Sequence, residues 1–171
     1  MPSTVNSLPD AEVLFQQLGA NVKSYITDNN LQQPLLIGIR SGGAWLAQRL
    51  QEELELPELG IIDISFYRDD FDERGLPIRA QGSKLPDSIE DRDIILVDDV
   101  LMSGRTIRAA MNEIFDYGRP RRINLAILLD IGGRHLPIQA DIVGAKVALS
   151  ANKKAKLSGP KPFSFSLENQ S

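Results

Sequence analysis

Ile94-Ile95-Leu96-Val97-Asp98-Asp99-Val100-Leu101-Met102-Ser103-Gly104-Arg105-Thr106 is the stretch from which the rest of the chain can be read. Four apolar β-formers run without polar alternation into two aspartates. Such a run reads as a strand buried on both faces. A loop of small residues follows. Beyond it Ile107, Ala110, Met111, Ile114 and Phe115 recur at i, i+3, i+4, i+7 and i+8, the apolar stripe of a helix laid on a core. A strand, a tight loop and a helix in that order form one unit of a parallel α/β sheet, and such sheets bind ligands beyond the carboxyl ends of their strands. Two chemistries sit together there. The carboxylates suit a sugar diol or a hydrated cation. The loop offers backbone N–H groups, two hydroxyls and a helix N-terminus, which suit a phosphate. Gly104 lets the backbone approach closely. A ligand with a diol at one end and a phosphate at the other, a ribose 5-phosphate, matches both. Taken alone, the acid pair reads equally as a strand-end turn with Ser103 or Thr106 capping the helix. The run contains neither GxxxxGK[ST] nor GxGxxG, so it is neither a P-loop nor a dinucleotide fingerprint.

The flanking sequence alternates in the same way. Ser7 to Asp10 has capping-box spacing, and Leu14, Leu18, Val22 and Tyr25/Ile26 follow at helical period, which predicts a helix over 9–27. Leu35 to Ile39 predicts a buried strand, and Leu46, Leu50 and Leu54 a helix over 44–54 with one wet face. Ile61 to Tyr67 reads as a strand. Residues 68–92 are dense in charge, Gly and Pro, a long loop of the functional or mobile kind with a short hairpin around Gly75-Leu76-Pro77. Gly118 is placed to cap the helix after the acid pair, and Pro120 stops it. Arg122 to Leu129 and Ile142 to Gly144 read as further strands, the last at an edge. From Ala151 a tail mixes Lys, Ser, Gly and Pro, and its Phe163/Phe165/Leu167 alternation fits a strand or a partner contact. The fold class is therefore α/β, with a mostly parallel central sheet flanked by helices. Ligands are expected after Ile39, Tyr67 and Val97.

Composition narrows the chemistry. The chain has 171 residues, enough for one core. It has no cysteine, which excludes a disulfide scaffold, a thiol nucleophile and a Cys-ligated metal. His135 is the only histidine, so a mechanism needing two is excluded. The net charge is −4, unlike the basic balance of a general nucleic-acid binder. The N-terminal residues do not read as a signal peptide, and no 18-residue apolar run is expected to span a membrane. A cytoplasmic location is expected.

The Ile94–Thr106 run resembles the phosphoribosyl-pyrophosphate (PRPP) motif of type I phosphoribosyltransferases. GIRSGGAWLAQRL at 38–50, DISFYRDD at 63–70, DYGRPRRINLAILLD at 116–130 and LPIQADIVG at 136–144 then resemble the PyrR family, pyrimidine-operon regulators with uracil phosphoribosyltransferase activity. The match runs in order through most of residues 10–146. It implies a single domain over 1–150, with a mobile loop at about 69–84, a small hood at about 130–150 and a C-terminal tail at 151–171. It implies an enzyme that converts uracil and PRPP to UMP and diphosphate with Mg²⁺. Asp98 and Asp99 then bind the ribose hydroxyls, and Met102, Ser103, Gly104, Arg105 and Thr106 the 5-phosphate. Arg40, Ser41 and Gly42 grip the pyrophosphate, in a turn where the family can carry a cis peptide, although Ser-Gly-Gly alone is an ordinary strand-to-helix turn. Asp98, Asp99 and Arg40 are the catalytic set. Arg68, Arg79 and Lys84 of the loop reach the anion. Ile131 and Gly132 read the uracil edge. Magnesium is held mainly by the diphosphate, with Asp98 or Asp99 assisting. Met102 stands where hypoxanthine/guanine members carry a carboxylate, which favours a pyrimidine.

The sequence departs from the family at Ile131, where arginine is usual, and at Gly133, where histidine is usual. An RNA-binding, UMP-responsive attenuator is the alternative function, as is a catalytically weak nucleotide sensor. The basic patch for RNA is reduced to Arg134 and the Arg119/Arg121/Arg122 cluster, since Gln139 and Gly42 stand where arginines are common. Lys153, Lys154, Lys156 and Lys161 read as a solvated tail. The resemblance implies a homodimer or larger assembly, with Trp45 or the 163–167 alternation as interface or core.

Overall fold

Alternate residues of the central apolar runs bury themselves on opposite faces of one sheet, as the unbroken hydrophobicity of 35–39 and 94–97 requires. The computed structural model describes residues 4–64 and 82–170. Its main sheet has five parallel strands: β1 (Leu35–Ile39), β2 (Leu59–Ile62), β3 (Asp93–Leu101), β4 (Arg122–Asp130) and β5 (Ile142–Lys146), in the order β2-β1-β3-β4-β5. Leu36, Ile95, Val97, Ala126 and Leu128 face α1 (Ala11–Asp28) and α2 (Gly42–Glu53). Leu35, Ile37, Leu96, Leu125 and Ile127 face α3 (Arg105–Tyr117). The acid pair thus ends the middle strand of a sheet covered on both faces.

Several local expectations change. Helix α1 is capped by Asp10 itself, whose carboxylate accepts from Val13 N at 3.0 Å, so Ser7 does not serve. Strand β2 begins and ends earlier than 61–67, and residues 65–81, with the expected hairpin, lie outside the described residues. Phe115 is 57% exposed, because the buried side of α3 is Ile107, Ala109, Ala110 and Ile114. Gly118 ends α3 in an extended conformation rather than a left-handed one; glycine is needed because a Cβ would stand 2.8 Å from Glu90 and 2.9 Å from Ile89.

The segment after 151 forms an antiparallel hairpin of β6 (Lys153–Ser158) and β7 (Ser164–Asn169). It is fastened to the domain through its turn. Phe163 is buried, 5.4 Å from the Phe15 ring, and the Arg49 guanidinium lies over both rings at 4.2 and 4.5 Å. Glu12 takes both guanidinium nitrogens at 2.6 and 3.0 Å and also accepts from Phe163 N at 2.7 Å. Trp45 packs on the same core and approaches Gly159 in the turn. The turn-proximal apolar residues of this hairpin thus pack on their own chain, while Lys154, Lys156 and Lys161 remain exposed.

Candidate active site

Two loops meet at the carboxyl edge of the sheet. The first is the start of α2. Gly38 lies so close to Gly43 and Ala44 that any Cβ on it would collide, and this draws the helix onto the strand tips. A Cβ on Gly43 would strike the Val97 carbonyl oxygen and stand 3.0 Å from the Asp98 carboxylate. One on Gly42 would collide with the Asp99 carboxylate. Glycine at 42 and 43 therefore lets the Arg40-Ser41-Gly42 turn touch the acid pair, far away in sequence. The Arg40–Ser41 peptide is cis. Arg40 N donates to Ile62 O at 3.0 Å, and Ser41 O accepts from Trp45 N at 3.2 Å. Ser41 caps α2 without a side-chain bond, so its hydroxyl is not committed to the helix.

Each aspartate steadies itself on the following residue. Asp98 Oδ1 accepts from Asp99 N at 2.9 Å, and Asp99 Oδ1 accepts from Val100 N at 2.8 Å. Asp98 is 7% exposed and Asp99 half-buried.

The second loop is Met102 to Thr106. Gly104 caps α3 with φ +92°, a conformation that L side chains rarely adopt, and a Cβ there would also press on Ile138 at 3.0 Å. Ser103 Oγ accepts from Arg105 N at 3.2 Å. Met102, Arg105 and Thr106 are exposed. The segment after β4 holds this loop in place: Ser103 O accepts from His135 N at 2.9 Å and from Leu136 N at 3.1 Å. Arg134 donates to Met102 O at 3.0 Å, to Ile138 O at 2.7 Å and to Asp130 Oδ2 at 2.6 Å. Burial disfavours the Asp130 carboxylate, but the Arg134 guanidinium and the Gly132 N–H outweigh it and hold its carboxyl below the ordinary range.

Beside the loop lies a cavity of about 420 Å³ lined by Asp130, Ile131, Gly132, Arg134, Ile138, Gln139, Lys146, Val147 and Ala148. Ile131 and Gly132 both line it. Lys146 and the Arg134–Asp130 brace were not legible in the sequence, since a single lysine closing a strand and one arginine in a loop carry no spacing signal. Among the other loop cations, Lys84 bonds Ile61 through its backbone and lines a shallow depression with Glu58 and Leu59, away from the acid pair. Arg68 and Arg79 lie outside the described residues.

Residues 4–156 match the phosphoribosyl transferase domain model. A Bifunctional protein PyrR of Pseudomonas syringae pv. tomato is 46% identical over 166 residues, 96% of this chain and 98% of its own length. Another from Pseudomonas fluorescens is 47% identical over 164 residues, covering 95% and 98%. The chain belongs to the PyrR family. Solved structures agree on the fold. A hypoxanthine-guanine phosphoribosyltransferase of Bacillus anthracis superposes with a TM-score of 0.64 at 19% identity, over 85% of each chain. A hypoxanthine phosphoribosyltransferase of Staphylococcus aureus gives 0.62 at 22%, over 84% of this chain and 78% of that one. This PyrR-family chain is thus a phosphoribosyltransferase with the type I fold expected from its sequence, and it is not built as a Rossmann or P-loop protein. No helix among the described residues is long and apolar enough to cross a membrane.

Proposed function

We propose that the chain transfers the 5-phosphoribosyl group of PRPP to N1 of uracil, giving UMP and diphosphate. The observation that carries this is the close approach of Gly42 and Gly43 to Asp99 and Asp98 beside the Met102–Thr106 loop and the 420 Å³ cavity. That juxtaposition supports reading the turn as a diphosphate grip, the acid pair as a diol acceptor, the loop as a phosphate cradle and the cavity as a base pocket. Asp98 and Asp99 accept from the ribose hydroxyls. The amides of 103–106 with the Ser103 and Thr106 hydroxyls hold the 5-phosphate. Arg40, Ser41 and Gly42 hold the diphosphate, and Ile131 and Gly132 border the base. The bond from the anomeric carbon to the diphosphate oxygen breaks as the bond to N1 forms, and N1 releases its proton. Through an oxocarbenium-like state, positioning and stabilisation of the departing anion are what this chain contributes. Arg68 and Arg79 complete the grip when the 69–84 loop covers the site and excludes water, whereas Lys84 is held at Ile61 and is left out of it.

The donor set fits magnesium that arrives with the diphosphate. Asp98 and Asp99 offer hard carboxylate oxygens, and among the described residues no three acids or imidazoles gather into a protein cage. Bound there, the ion would neutralise charge on the leaving group. We place the activity in the cytoplasm, in a homodimer or larger assembly.

A second, regulatory role in pyrimidine metabolism fits relatives named bifunctional. A conventional RNA patch fits less well. Arg134 is committed to Asp130, and Arg121 and Arg122 both pair with Asp93, at 2.6 and 3.1 Å. Turnover of uracil, orotate, adenine and hypoxanthine with PRPP and Mg²⁺ tests the assignment. Uracil is expected to be consumed in preference to the rest, and a purine preference or no turnover would overturn it.

A further inference from the structure

The base cavity contains one cation that no direct ion pair or hydrogen bond among the described residues holds. Three charged side chains line it: Asp130, Arg134 and Lys146. The first two neutralise each other at 2.6 Å, and Arg134 gives further N–H groups to the carbonyls of Met102 and Ile138. Arg134 therefore serves as a brace with little left to offer a ligand. Lys146 ends β5, opposite Asp130 in the β4–β5 register. Its ammonium takes part in none of the ion pairs or hydrogen bonds formed among the described residues, and acts on Asp130 through space, helping to hold that carboxyl ionised. The remaining side chains on the wall are Ile131, Ile138, Val147, Ala148 and the neutral amide of Gln139. An ammonium has three donors and no acceptor, so the ligand group it meets must be an acceptor.

We propose that Lys146 is a specificity-determining residue whose ammonium donates to the exocyclic O4 carbonyl oxygen of uracil, the position where cytosine carries an amine. This rests on the assignment of phosphoribosyl transfer to uracil and adds how the base is chosen. A ring carbonyl completes the cation. A ring amine at the same position sets donor against donor and leaves both unsatisfied. The position is exposed at a strand end, so removing the charge leaves the core untouched.

Calorimetric binding of UMP, CMP and PRPP to the full chain tests this, with Lys146→Met and Lys146→Arg alongside the natural sequence. Wild type is expected to bind UMP about tenfold to a hundredfold more tightly than CMP, the range of a charge-assisted bond. Lys146→Met should lose most of that preference and keep its PRPP affinity. Lys146→Arg should recover much of it, which a merely structural role would not explain. A preference that survives in Lys146→Met overturns the proposal, as does a wild type that binds PRPP but treats UMP and CMP alike. A wild type that binds neither PRPP nor UMP instead removes the underlying assignment, and this proposal with it.

Discussion

At the scale of single residues, contact with the acid pair and support of the fold separate cleanly. Asp99 is half-buried and, among the described residues, its carboxylate bonds only a neighbouring N–H, which an asparagine oxygen can also accept. Asp99→Asn should therefore change stability by no more than about 0.5 kcal/mol. It should lower uracil turnover about a hundredfold to a thousandfold, the effect of removing one preorganised electrostatic contact. Steady-state rates and urea unfolding on the same sample check both parts, and unchanged turnover removes Asp99 from the mechanism. Gly43→Ala should behave in the opposite order of cause. Its methyl would strike the Val97 carbonyl, which is backbone and cannot swing aside. Unfolding should show a loss of about 1–3 kcal/mol, the usual range for overpacking. Activity should fall as α2 lifts from the strand tips. A Gly43→Ala protein as stable as the parent would mean that the approach is looser than described.

At the scale of elements, the amino end of the sheet depends on one buried charge. Asp93 begins β3 with no exposed surface and receives the guanidinium groups of Arg121 and Arg122 and the Gln32 N–H. Burial opposes its ionisation, yet those partners win and hold its carboxyl far below the ordinary range. A depressed carboxyl stabilises the fold above the unfolded value of about 4, and that contribution fades as pH falls below it. In Arg121→Met with Arg122→Met the sign reverses. Burial then dominates and raises the Asp93 pKa, so its charge costs stability at neutral pH and protonation relieves the cost. The variant should be less stable by about 3–5 kcal/mol at pH 7. The gap should narrow as pH drops from 6 to 3 in urea titrations, and a pH-independent gap would mean that Asp93 is not the cause. This cluster also marks what the sequence could show. The strands at 35–39, 94–97 and 122–129 were legible because both faces are buried and the run is unbroken. The acid pair and the two loops at the strand tips were legible as candidates because each is a contiguous motif. Arg121, Arg122 and Arg134 read as the remnant of a basic patch or as helix-end cations, because Asp93 lies on another strand and Asp130, four residues before Arg134, meets it only once the chain bends after β4. Phe115 fitted the helical period, and only the position of the sheet under α3 exposes it. The hairpin after 151 was obscured by lysines that alternate onto its wet face.

For the whole molecule, the question is whether its charges can hold RNA. The chain carries a net charge of −4. Binding to a phosphate backbone needs several cations free to displace counterions, and each one contributes to the salt dependence. Arg121, Arg122 and Arg134 are held by Asp93 and Asp130, and Arg49 by Glu12. In the hairpin, Lys153 donates to Asn169 at 2.6 Å and Lys154 lies 3.9 Å from Glu168. Turning Arg134 toward an RNA would break its bonds to Met102 and Ile138 and leave Asp130 without its guanidinium, loosening the Met102–Thr106 loop proposed to hold the 5-phosphate. RNA binding through Arg134 and phosphoribosyl transfer therefore compete within this fold. Filter binding of a pyrimidine-operon leader stem-loop, at 50 to 200 mM salt and with or without UMP, should show no complex tighter than about 10⁻⁶ M near physiological salt, the upper range of non-specific affinity. UMP should not tighten it. A submicromolar complex that UMP strengthens would mean that a cationic surface other than these committed arginines serves the RNA, and would place regulation on a different face from the brace that orders the active site.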